Sequence, residues 1–482
     1  MASRSTGPPA ALHANLTREI HRGPAGAKVA AFFDVDRTLL AGFSATAFVR
    51  EQLFSGRMGP NELAEMTLGA LGFALGRRGF SGFVTSATAS YRGLPESELL
   101  EIGEKIFAKQ LAAMVYPEAR ALVHAHRERG HTIAIVSSAL RYQVEPLARD
   151  LGIEHVVCTQ LEVEDGVFTG DVRKPTCFGE GKATAVRDLA ARCGLDLDES
   201  WFYSDSHDDL PALEIVGRPR PLNPDERLER VARERAWPVR RFTSRGTPGV
   251  AELLRTLSVY GSLVPAGLAG LVTGLANQSR REGMNVFAAF WADLALSLAG
   301  VQVQVEGEEH LWSRRPAVFL FNHQSALDLP LMIKLVRRDM TGVGKAELRW
   351  NPIFGPLFWL AGVAFVDRAD PKKAIDALAP AVDALRGGTS LLIAPEGTRS
   401  PTPRLGRFKK GAFHMAMQAG VPVVPVVIRN AGDALPKSGL VVRPATIEVV
   451  VLPPVETDAW TREGLDGEIE AIRASYRSVL ER

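Results

Sequence analysis

An uncharged stretch divides this chain of 482 residues, because residues 256–279 contain no Asp, Glu, Lys or Arg. It is long enough to cross a bilayer. Gly270 and Gly274 stand four residues apart in it, which is the spacing of small residues that allows close helix contact. The charged triplet Arg280-Arg281-Glu282 ends the stretch. We therefore expect separate folding units before and after it, two or three domains in all.

A second apolar stretch, residues 284–301, carries Asn285, Asp293 and Ser297 on a helical spacing of four, which is typical of an amphipathic helix. We predict a hydrophobic helical hairpin over residues 256–301 that dips into the cytoplasmic leaflet of the cell membrane. If both segments crossed the membrane, Arg280 and Arg281 would lie outside, against the positive-inside tendency. Two full spans, or a soluble helical pair packed on the protein, are the alternatives.

The composition is that of a globular protein, with 46% hydrophobic and 23% charged residues. The net charge of +2 predicts that no nucleic acid is bound. Cys158, Cys177 and Cys193 have no paired spacing, which indicates reduced thiols and no zinc site. Residues 1–27 are rich in Ala, Ser, Gly and Pro without the apolar core of a signal peptide, so we predict a mobile N-terminal tail, with a helix around residues 12–20 as the alternative.

A histidine and a carboxylate frame one strand-to-helix turn in the second half of the chain. The apolar run 317–321 reads as a buried strand that ends at Asn322-His323, and Asp328 opens an apolar helix over 329–336. An aspartate bonded to one imidazole nitrogen fixes the tautomer and leaves the other nitrogen as a base. Alone, His323 is equally well explained as a histidine at a strand end that caps the following helix.

A second apolar strand, residues 390–395, runs into Glu396-Gly397-Thr398-Arg399. A glycine that permits close approach of the backbone, beside the fork of an arginine, suits a phosphate oxyanion. On its own this motif is also compatible with a surface turn that holds a salt bridge.

Together these two motifs resemble the 1-acylglycerol-3-phosphate acyltransferase family. The blocks 345–368 and 421–426 match the family's second and fourth blocks, so four blocks follow in order, and the resemblance covers residues 301–482. It implies that His323 takes a proton from a glycerol hydroxyl while Asp328 orients the imidazole. The acyl donor would be acyl-CoA or acyl carrier protein, and the acceptor a lysophospholipid. The implied substrate-binding residues are Lys345, Arg368, Glu396, Gly397, Thr398 and Arg399.

The first half has its own pattern of strands that end in polar residues. The strand 29–33 ends in Asp34-Val35-Asp36, and two carboxylates at that spacing can converge on one cation while one attacks phosphorus. Alone, the pair also fits a solvated turn. Three later pieces strengthen the catalytic reading: Ser137 after the strand 131–136, Lys182 in the opening of a helix, and Asp205 and Asp209 after the strand 201–203.

This set resembles the haloacid-dehalogenase superfamily, in its phosphoserine-phosphatase-like branch, over residues 28–245. The resemblance implies that Asp34 becomes an aspartyl phosphate and that Asp36 is the general acid and base. Ser137 and Lys182 would hold the phosphoryl group. Mg²⁺ would bind Asp34, the main-chain carbonyl of Asp36, and Asp205, with support from Asp209. Arg37 departs from the glycine of many relatives, and Ser204-Asp205 departs from their Gly-Asp.

The predicted fold class is α/β. Residues 28–245 are expected to form a Rossmann-like domain with a helical cap at 44–116 and a last strand at 237–243. A linker at 246–255 and the hairpin follow, and residues 302–482 form a membrane-associated α/β domain in which a helix starts at Asp370 and is kinked at Pro380. The apolar run 68–75 fits ordinary packing between cap helices, and a lid that admits a lipid tail is the alternative.

We therefore predict a bifunctional enzyme of phospholipid biosynthesis on the cytoplasmic face of the cell membrane. One site would acylate 1-acyl-sn-glycerol 3-phosphate to phosphatidate, and the other would hydrolyse a phosphomonoester. Two alternatives stay open: an acyltransferase with a regulatory phosphatase-like module, or a phosphoserine phosphatase with a structural C-terminal half.

Overall fold

The computed structural model describes residues 9–56, 59–74, 79–350, 354–366 and 378–481. The chain forms two compact units, Met1–Thr247 and Pro248–Arg482. Both are α/β units, as the sequence predicts, and each is described separately here.

The first unit is built on a five-stranded parallel sheet in the order β3-β2-β1-β6-β7. An antiparallel hairpin, β4 and β5, lies outside the sheet and turns at Asp165-Gly166, as expected from the sequence. The strands are β1 (Val29–Phe33), β2 (Thr132–Leu140), β3 (His155–Thr159), β4 (Leu161–Glu164), β5 (Val167–Val172), β6 (Asp196–Ser204) and β7 (Arg218–Pro221).

The central strand β1 is apolar throughout because both of its faces are buried. Ala31 and Phe33 enter one core cluster, and Ala30 and Phe32 enter another. Helices cover both faces of the sheet. Because its strands are parallel, their carboxyl ends lie at one sheet edge, where the polar residues that follow the strands meet. The helices are α1 (Pro9–Arg22), α2 (Ser44–Phe54), α3 (Pro60–Ala74), α4 (Phe80–Ala87), α5 (Glu96–Lys109), α6 (Pro117–Glu128), α7 (Arg141–Leu151), α8 (Glu180–Cys193), α9 (Leu210–Glu214) and α10 (Glu226–Glu234).

The segment 44–116 is helical, formed by α2 to α5 and two short 3₁₀ turns, Ala89–Tyr91 and Leu111–Met114. In the apolar run 68–75, Leu68 and Leu71 are exposed. Packing between cap helices, the favoured interpretation of that run, therefore does not account for these two side chains.

Two strand predictions in this unit are wrong, one in its end and the other altogether. Strand β2 continues to Leu140, so Ser137 lies inside it, at a register irregularity and not beyond its end. Residues 237–243 form no strand, although an isolated bridge joins Arg240 to Leu222. Asn223 explains why this segment still runs beside the sheet, because its side chain and backbone bind Phe242 and Arg240.

The second unit contains a seven-stranded mixed sheet in the order β11-β10-β12-β9-β13-β14-β8. Strands β9 to β13 are parallel to one another, whereas β14 runs antiparallel to β13 and parallel to β8. The strands are β8 (Val301–Glu306), β9 (Val318–Phe321), β10 (Met340–Lys345), β11 (Ala364–Val366), β12 (Ser390–Ile393), β13 (Val423–Ile428) and β14 (Ala445–Val451).

Strand β9 lies at the centre of this sheet and is buried on both faces. Val318 and Leu320 enter one core cluster, whereas Phe319 and Phe321 enter the other. The helices of the unit, besides the 3₁₀ turn Ala346–Trp350, are α11 (Val250–Gly261), α12 (Leu263–Ala276), α13 (Arg280–Ala299), α14 (His310–Ser313), α15 (Asp328–Val336), α16 (Phe354–Leu360), α17 (Ala379–Arg386), α18 (Gly411–Ala419), α19 (Ala431–Ala434) and α20 (Leu465–Leu480).

Helix α17 corrects the prediction of a helix kinked at Pro380. The described helix begins at Ala379, so Pro380 occupies its first turn, where its missing N–H breaks no helical hydrogen bond. The predicted start at Asp370 lies outside the described residues. Helix α11 begins at Val250, within the segment 246–255 that was expected to be a linker.

Helices α12 and α13 form a hairpin with close backbone contact. A Cβ atom on Gly283 would lie 2.7 Å from the Gly270 carbonyl oxygen and 2.9 Å from the Gly274 Cα. The pair Gly270 and Gly274 therefore packs within this chain, against the glycine of the next helix. Asp293 of α13 forms ion pairs with Lys334 of α15 and with Arg337, which directly follows that helix.

Within the described part of the chain, one stretch, Val250–Ala276, is long and apolar enough to cross a membrane. Only 22% of its apolar window is buried, and Leu257, Val264 and Leu271 are each more than half exposed. These side chains form an apolar surface along α11 and α12.

Candidate active sites

The polar residues of the first site lie in or just after three neighbouring strands of the first unit. Phe33 pairs with Ile135 of β2 and with Tyr203 of β6, so Asp34 and Asp205, just beyond the ends of β1 and β6, lie near Ser137 inside β2. The backbone N–H of Asp34 donates to the Tyr203 carbonyl oxygen at 3.0 Å. Asp34, Ser137 and Asp205 are all buried.

Lys182 connects the first turn of α8 to this edge. Its Nζ donates to Asp34 Oδ1 at 2.7 Å and to Asp209 Oδ2 at 2.6 Å. Ser204 Oγ also donates to Asp209 Oδ2, at 2.6 Å. Burial lowers the pKa of Lys182, but the charges of Asp209 and Asp34 outweigh it and raise the pKa overall. The lysine therefore stays charged, as an anion-binding group must.

Burial dominates the acidity of the carboxylates. It raises the pKa of Asp34 to about 7, against the lowering effect of Lys182, and the charge of Asp209 adds to the rise. Burial and the charge of Asp34 raise the pKa of Asp205 to about 8, although Arg37 opposes this. The pKa of Asp36 is raised by burial too, while its Oδ1 accepts the Ser44 N–H at 2.7 Å.

The described residues contain no group of three or more His, Cys, Asp and Glu side chains arranged to hold a metal. The Mg²⁺ ligand set expected here needs fewer, namely the carboxylates of Asp34 and Asp205 and one main-chain carbonyl, because Mg²⁺ keeps several waters. The charge of Asp34 makes the ionisation of Asp205 more costly, and a cation between the two carboxylates would offset that cost. The residues therefore fit the ion, whereas Asp209 is engaged by Lys182 and Ser204.

The sequence analysis identified Arg37 only as a departure from the glycine of many relatives and assigned no residue of this chain as its partner. Its Nη1 lies 3.3 Å from Asp205 Oδ2, and its backbone has a left-handed φ of +58°. Asn223, which had no predicted role, donates from Nδ2 to the Arg37 carbonyl oxygen at 2.9 Å. No sequence signal connects these two positions, since 186 residues separate them.

The second site contains the predicted histidine and aspartate in direct contact. His323 Nδ1 lies 2.8 Å from Asp328 Oδ2, which also accepts the backbone N–H groups of Gln324 and Ser325. Because Asp328 Oδ2 accepts these hydrogen bonds, the imidazole proton is assigned to Nδ1, and Nε2 carries the lone pair. Asp328 is fully buried, whereas the His323 side chain is 26% exposed.

Asn322 and Gln324, on either side of His323, are buried amides that the sequence analysis did not single out. Asn322 exchanges two hydrogen bonds of 2.7 Å with the backbone of Ile428. Gln324 Nε2 donates to the same carbonyl oxygen at 3.0 Å. They join the end of β9 to the end of β13 and hold the backbone of His323. Their signal in the sequence was amide residues directly after an apolar strand.

Glu396 is a buried clamp between two loops. Its Oε1 accepts the His323 N–H at 2.9 Å, and its Oε2 accepts the Gly406 N–H at 2.8 Å. Burial raises its pKa, and the two N–H donors work against that rise. Because both oxygens are occupied, Glu396 positions the loops and leaves substrate contact to its neighbours.

The other predicted residues that the structure describes follow or end strands of the same sheet. Thr398 is exposed and Arg399 is half-buried, and the next residue, Ser400, donates its N–H to the His323 carbonyl oxygen at 2.6 Å. Gly397 has a φ of +72°, and a Cβ there would lie 3.0 Å from Lys409 Nζ. Lys345 ends β10, two strands from β9, and is exposed in an ion pair with Glu347. Arg368 lies outside the described residues.

Comparison with known proteins agrees with the division into two units. The family model for haloacid dehalogenase-like hydrolases matches residues 31–214, and the one named acyltransferase matches residues 302–429. The chain is 33% identical over 263 residues to phosphoserine phosphatase SerB1 of Mycobacterium tuberculosis, covering 54% of this chain and 83% of that protein.

Plant enzymes named 1-acyl-sn-glycerol-3-phosphate acyltransferase match the second unit. The enzyme of Cocos nucifera is 36% identical over 197 residues, which is 41% of this chain and 63% of that enzyme. The enzyme of Limnanthes alba is 35% identical over 193 residues, 40% of this chain and 68% of that enzyme. The chain thus spans about two thirds of the length of these relatives. It belongs to the haloacid dehalogenase-like hydrolases through its first unit and to the glycerolipid acyltransferases through its second.

Proposed function

We propose that the second unit transfers an acyl group from a thioester to 1-acyl-sn-glycerol 3-phosphate and so forms phosphatidate. The observation that carries this proposal is the dyad of a partly exposed His323 and a buried Asp328, at the sheet edge that Arg399 also follows. Acyl-CoA or acyl carrier protein is the proposed donor, and the lysophospholipid is the acceptor.

In this mechanism His323 Nε2 removes the proton of the acceptor hydroxyl as the oxygen attacks the thioester carbonyl. Asp328 keeps the imidazole in the required tautomer and stabilises the imidazolium that forms. The imidazolium then returns the proton to the leaving thiolate. Arg399 binds the acceptor phosphate through its guanidinium fork, with Lys345 and Arg368 as further cations, and Glu396, Gly397 and Thr398 shape the loop.

We propose that the first unit hydrolyses a phosphomonoester through an aspartyl phosphate on Asp34. Asp34 attacks phosphorus, and Asp36 protonates the leaving alkoxide and later activates water. Ser137 and Lys182 hold the phosphoryl oxygens. Asp34, the Asp36 carbonyl and Asp205 would bind Mg²⁺, whose charge offsets the negative charge of the transferring group.

We propose that the enzyme works on the cytoplasmic face of the cell membrane. The apolar surface along α11 and α12 supports membrane contact, because large exposed apolar areas mark interaction sites. The location on the cytoplasmic face rests on the substrates, since both reactions use phosphate esters or thioesters made in the cytosol. The domain division proposed is a phosphatase over 28–245 and an acyltransferase over 302–482, joined through the hairpin.

The test follows thiol release, phosphate release and lipid products together, with purified protein, Mg²⁺, lysophosphatidate and an acyl-CoA. His323→Ala should abolish thiol release and spare phosphate release from p-nitrophenyl phosphate. Asp34→Asn should do the reverse. Thiol release that persists in His323→Ala would reject the acyltransferase proposal. Phosphate release that persists in Asp34→Asn would reject the aspartyl phosphate.

One alternative is favoured by a specific observation. Asp205 is paired with Arg37, so the first unit as a regulatory module without catalysis remains a second candidate. It predicts full acyl transfer and no phosphate release from any phosphomonoester, with or without Mg²⁺.

A further inference from the structure

Arg37 occupies a backbone conformation that suits glycine better. Its φ of +58° is left-handed, a region that L-residues with a Cβ rarely adopt. Its carbonyl oxygen accepts Asn223 Nδ2 at 2.9 Å and its N–H donates to the Gly42 carbonyl oxygen at 3.1 Å. On Arg37 these bonds involve only main-chain atoms, so a glycine at this position would make them with less strain. The side chain is therefore the part of Arg37 that needs a functional explanation.

The guanidinium lies at the mouth of the phosphatase site. Its Nη1 is 3.3 Å from Asp205 Oδ2, and Nη2 donates a long bond of 3.4 Å to the Asn223 carbonyl oxygen. The Arg37 side chain is 40% exposed, whereas that of Asp205 is 8% exposed. An arginine has five N–H donors, so most of its hydrogen-bonding capacity is available to another anion.

The cations of the site divide between its carboxylates. Lys182 binds Asp34 and Asp209 at 2.7 and 2.6 Å, and Arg37 is the cation beside Asp205. The proposed function requires Asp205 to bind Mg²⁺ too. A guanidinium and Mg²⁺ repel each other, so they compete for this carboxylate.

We propose that Arg37 exchanges partners during the phosphatase cycle. Without the metal it neutralises Asp205. With Mg²⁺ bound, Asp205 would be neutralised by the metal, and the guanidinium would be free to bind an oxygen of the phosphoryl group that enters the site. This inference rests on the proposed Mg²⁺-dependent hydrolysis and makes Arg37 a residue that adjusts metal affinity and phosphate affinity in opposite directions.

The test measures binding by calorimetry on the full chain, first of Mg²⁺ and then of inorganic phosphate at saturating Mg²⁺. Arg37→Gly and Arg37→Gln remove the charge, and glycine also suits the left-handed backbone, so folding is retained. We expect Mg²⁺ to bind about 2- to 5-fold tighter, since an exposed ion pair no longer competes. We expect phosphate to bind about 10-fold more weakly, since a charged hydrogen bond is lost. Arg230→Gln, an exposed site on α10, should change neither affinity.

Opposite shifts in the two affinities are the signature that a purely structural role would not produce. Wild-type affinity for Mg²⁺ or for phosphate in both Arg37 variants would overturn the exchange. If the wild-type protein itself binds no Mg²⁺, the proposed metal-dependent hydrolysis fails, and the inference fails with it. That result is distinguishable because it appears before any variant is compared.

Discussion

At the scale of single residues, the second site depends on how one carboxylate is bonded. Asp328 is fully buried, and its Oδ2 accepts from His323 Nδ1 and two backbone N–H groups. Its other oxygen, Oδ1, is buried without a hydrogen-bond partner. The carboxylate is thus dedicated to orienting the imidazole and its turn.

Asp328→Asn should separate catalysis from folding. An amide of the same size can keep its oxygen in the position of Oδ2 but carries no negative charge to stabilise an imidazolium, so we expect kcat for thiol release to fall about 10²- to 10⁴-fold. Thermal unfolding should shift by only a few degrees. The exposed Asp458→Asn is the matched control, with unchanged rates. A variant that keeps more than a tenth of the wild-type kcat would contradict the assigned role.

A pair of buried histidines in the first unit predicts a pH dependence of stability. His131 Nε2 donates to the Pro24 carbonyl oxygen, and its Nδ1 then accepts from His126 Nδ1 at 2.8 Å. His126 Nε2 accepts from the Tyr203 hydroxyl at 2.9 Å. This chain holds only when both imidazoles are neutral. Burial is the largest of the effects that lower the pKa of each histidine. The charges of His131 and His21 also lower the pKa of His126, and the charge of Arg129 lowers that of His131.

Because the folded state binds these protons less readily than the unfolded state, the stabilising effect is full above the unfolded pKa of about 6.5. It is lost as the pH falls below that value. Wild-type protein should therefore lose stability between about pH 7 and 5 relative to His126→Gln, in denaturant titrations at each pH. The comparison with the variant cancels the opposite contribution of Asp34 and Asp205. His124→Gln, an exposed neighbour, should show the same dependence of stability on pH as wild type. If the stability of His126→Gln changed with pH in parallel with that of wild type, the role of the neutral histidine pair would be refuted.

At the scale of elements, the hairpin of α12 and α13 depends on glycine at the crossing point. Gly283 faces Gly270 and Gly274 so closely that a Cβ on it would lie 2.7 Å from a carbonyl oxygen. An exposed helical glycine normally gains stability on replacement by alanine. The same change at the crossing should therefore have the opposite sign.

We expect Gly283→Ala to reduce the free energy of unfolding by about 1–3 kcal/mol through overpacking. Gly267→Ala lies in α12, where a Cβ would meet nothing within 4 Å, and should stabilise by about 0.5–1 kcal/mol. Chemical denaturation followed by the tryptophan fluorescence of the second unit measures both. Equal signs for the two variants would mean that the helices do not cross at this point.

At the scale of the whole molecule, we predict that the apolar surface along α11 and α12 contacts lipid. Leu257, Val264 and Leu271 are 69%, 67% and 59% exposed, so charges placed there cost little in folding. An exposed apolar face of this kind buries itself in a bilayer or its interface.

The triple variant Leu257→Glu, Val264→Glu, Leu271→Glu should lose most of its co-sedimentation with vesicles of phosphatidylcholine and phosphatidylglycerol. Its rate on a short-chain, water-soluble acceptor should stay within about 2-fold of wild type. The matched control places three glutamates on the exposed face of α20, at Ala471, Ala474 and Ser478, and should sediment as wild type does. Unchanged sedimentation of the triple variant would place membrane contact elsewhere.

Local patterns in the sequence were sufficient to predict the α/β class and the strands that end at Asp34, Asp205, His323 and Glu396. A buried strand is a short apolar run, and parallel strands bring their carboxyl ends to one edge. The helical segment 44–116 and the hairpin at Asp165-Gly166 followed from periodicity and turn residues in the same way. These features depend on neighbours in the chain, so the chain itself records them.

The contacts between distant residues were decided by the tertiary structure alone. The partners of Lys182, the clamp formed by Glu396, the pairing of Arg37 with Asp205 and the glycine that faces Gly270 all lie far apart in sequence or depend on a turn of the backbone. The predicted last strand, 237–243, was wrong for the same reason, since its pairing with the sheet stops at a single bridge between Arg240 and Leu222. Such contacts arise from packing over long separations, which no local pattern of residues encodes.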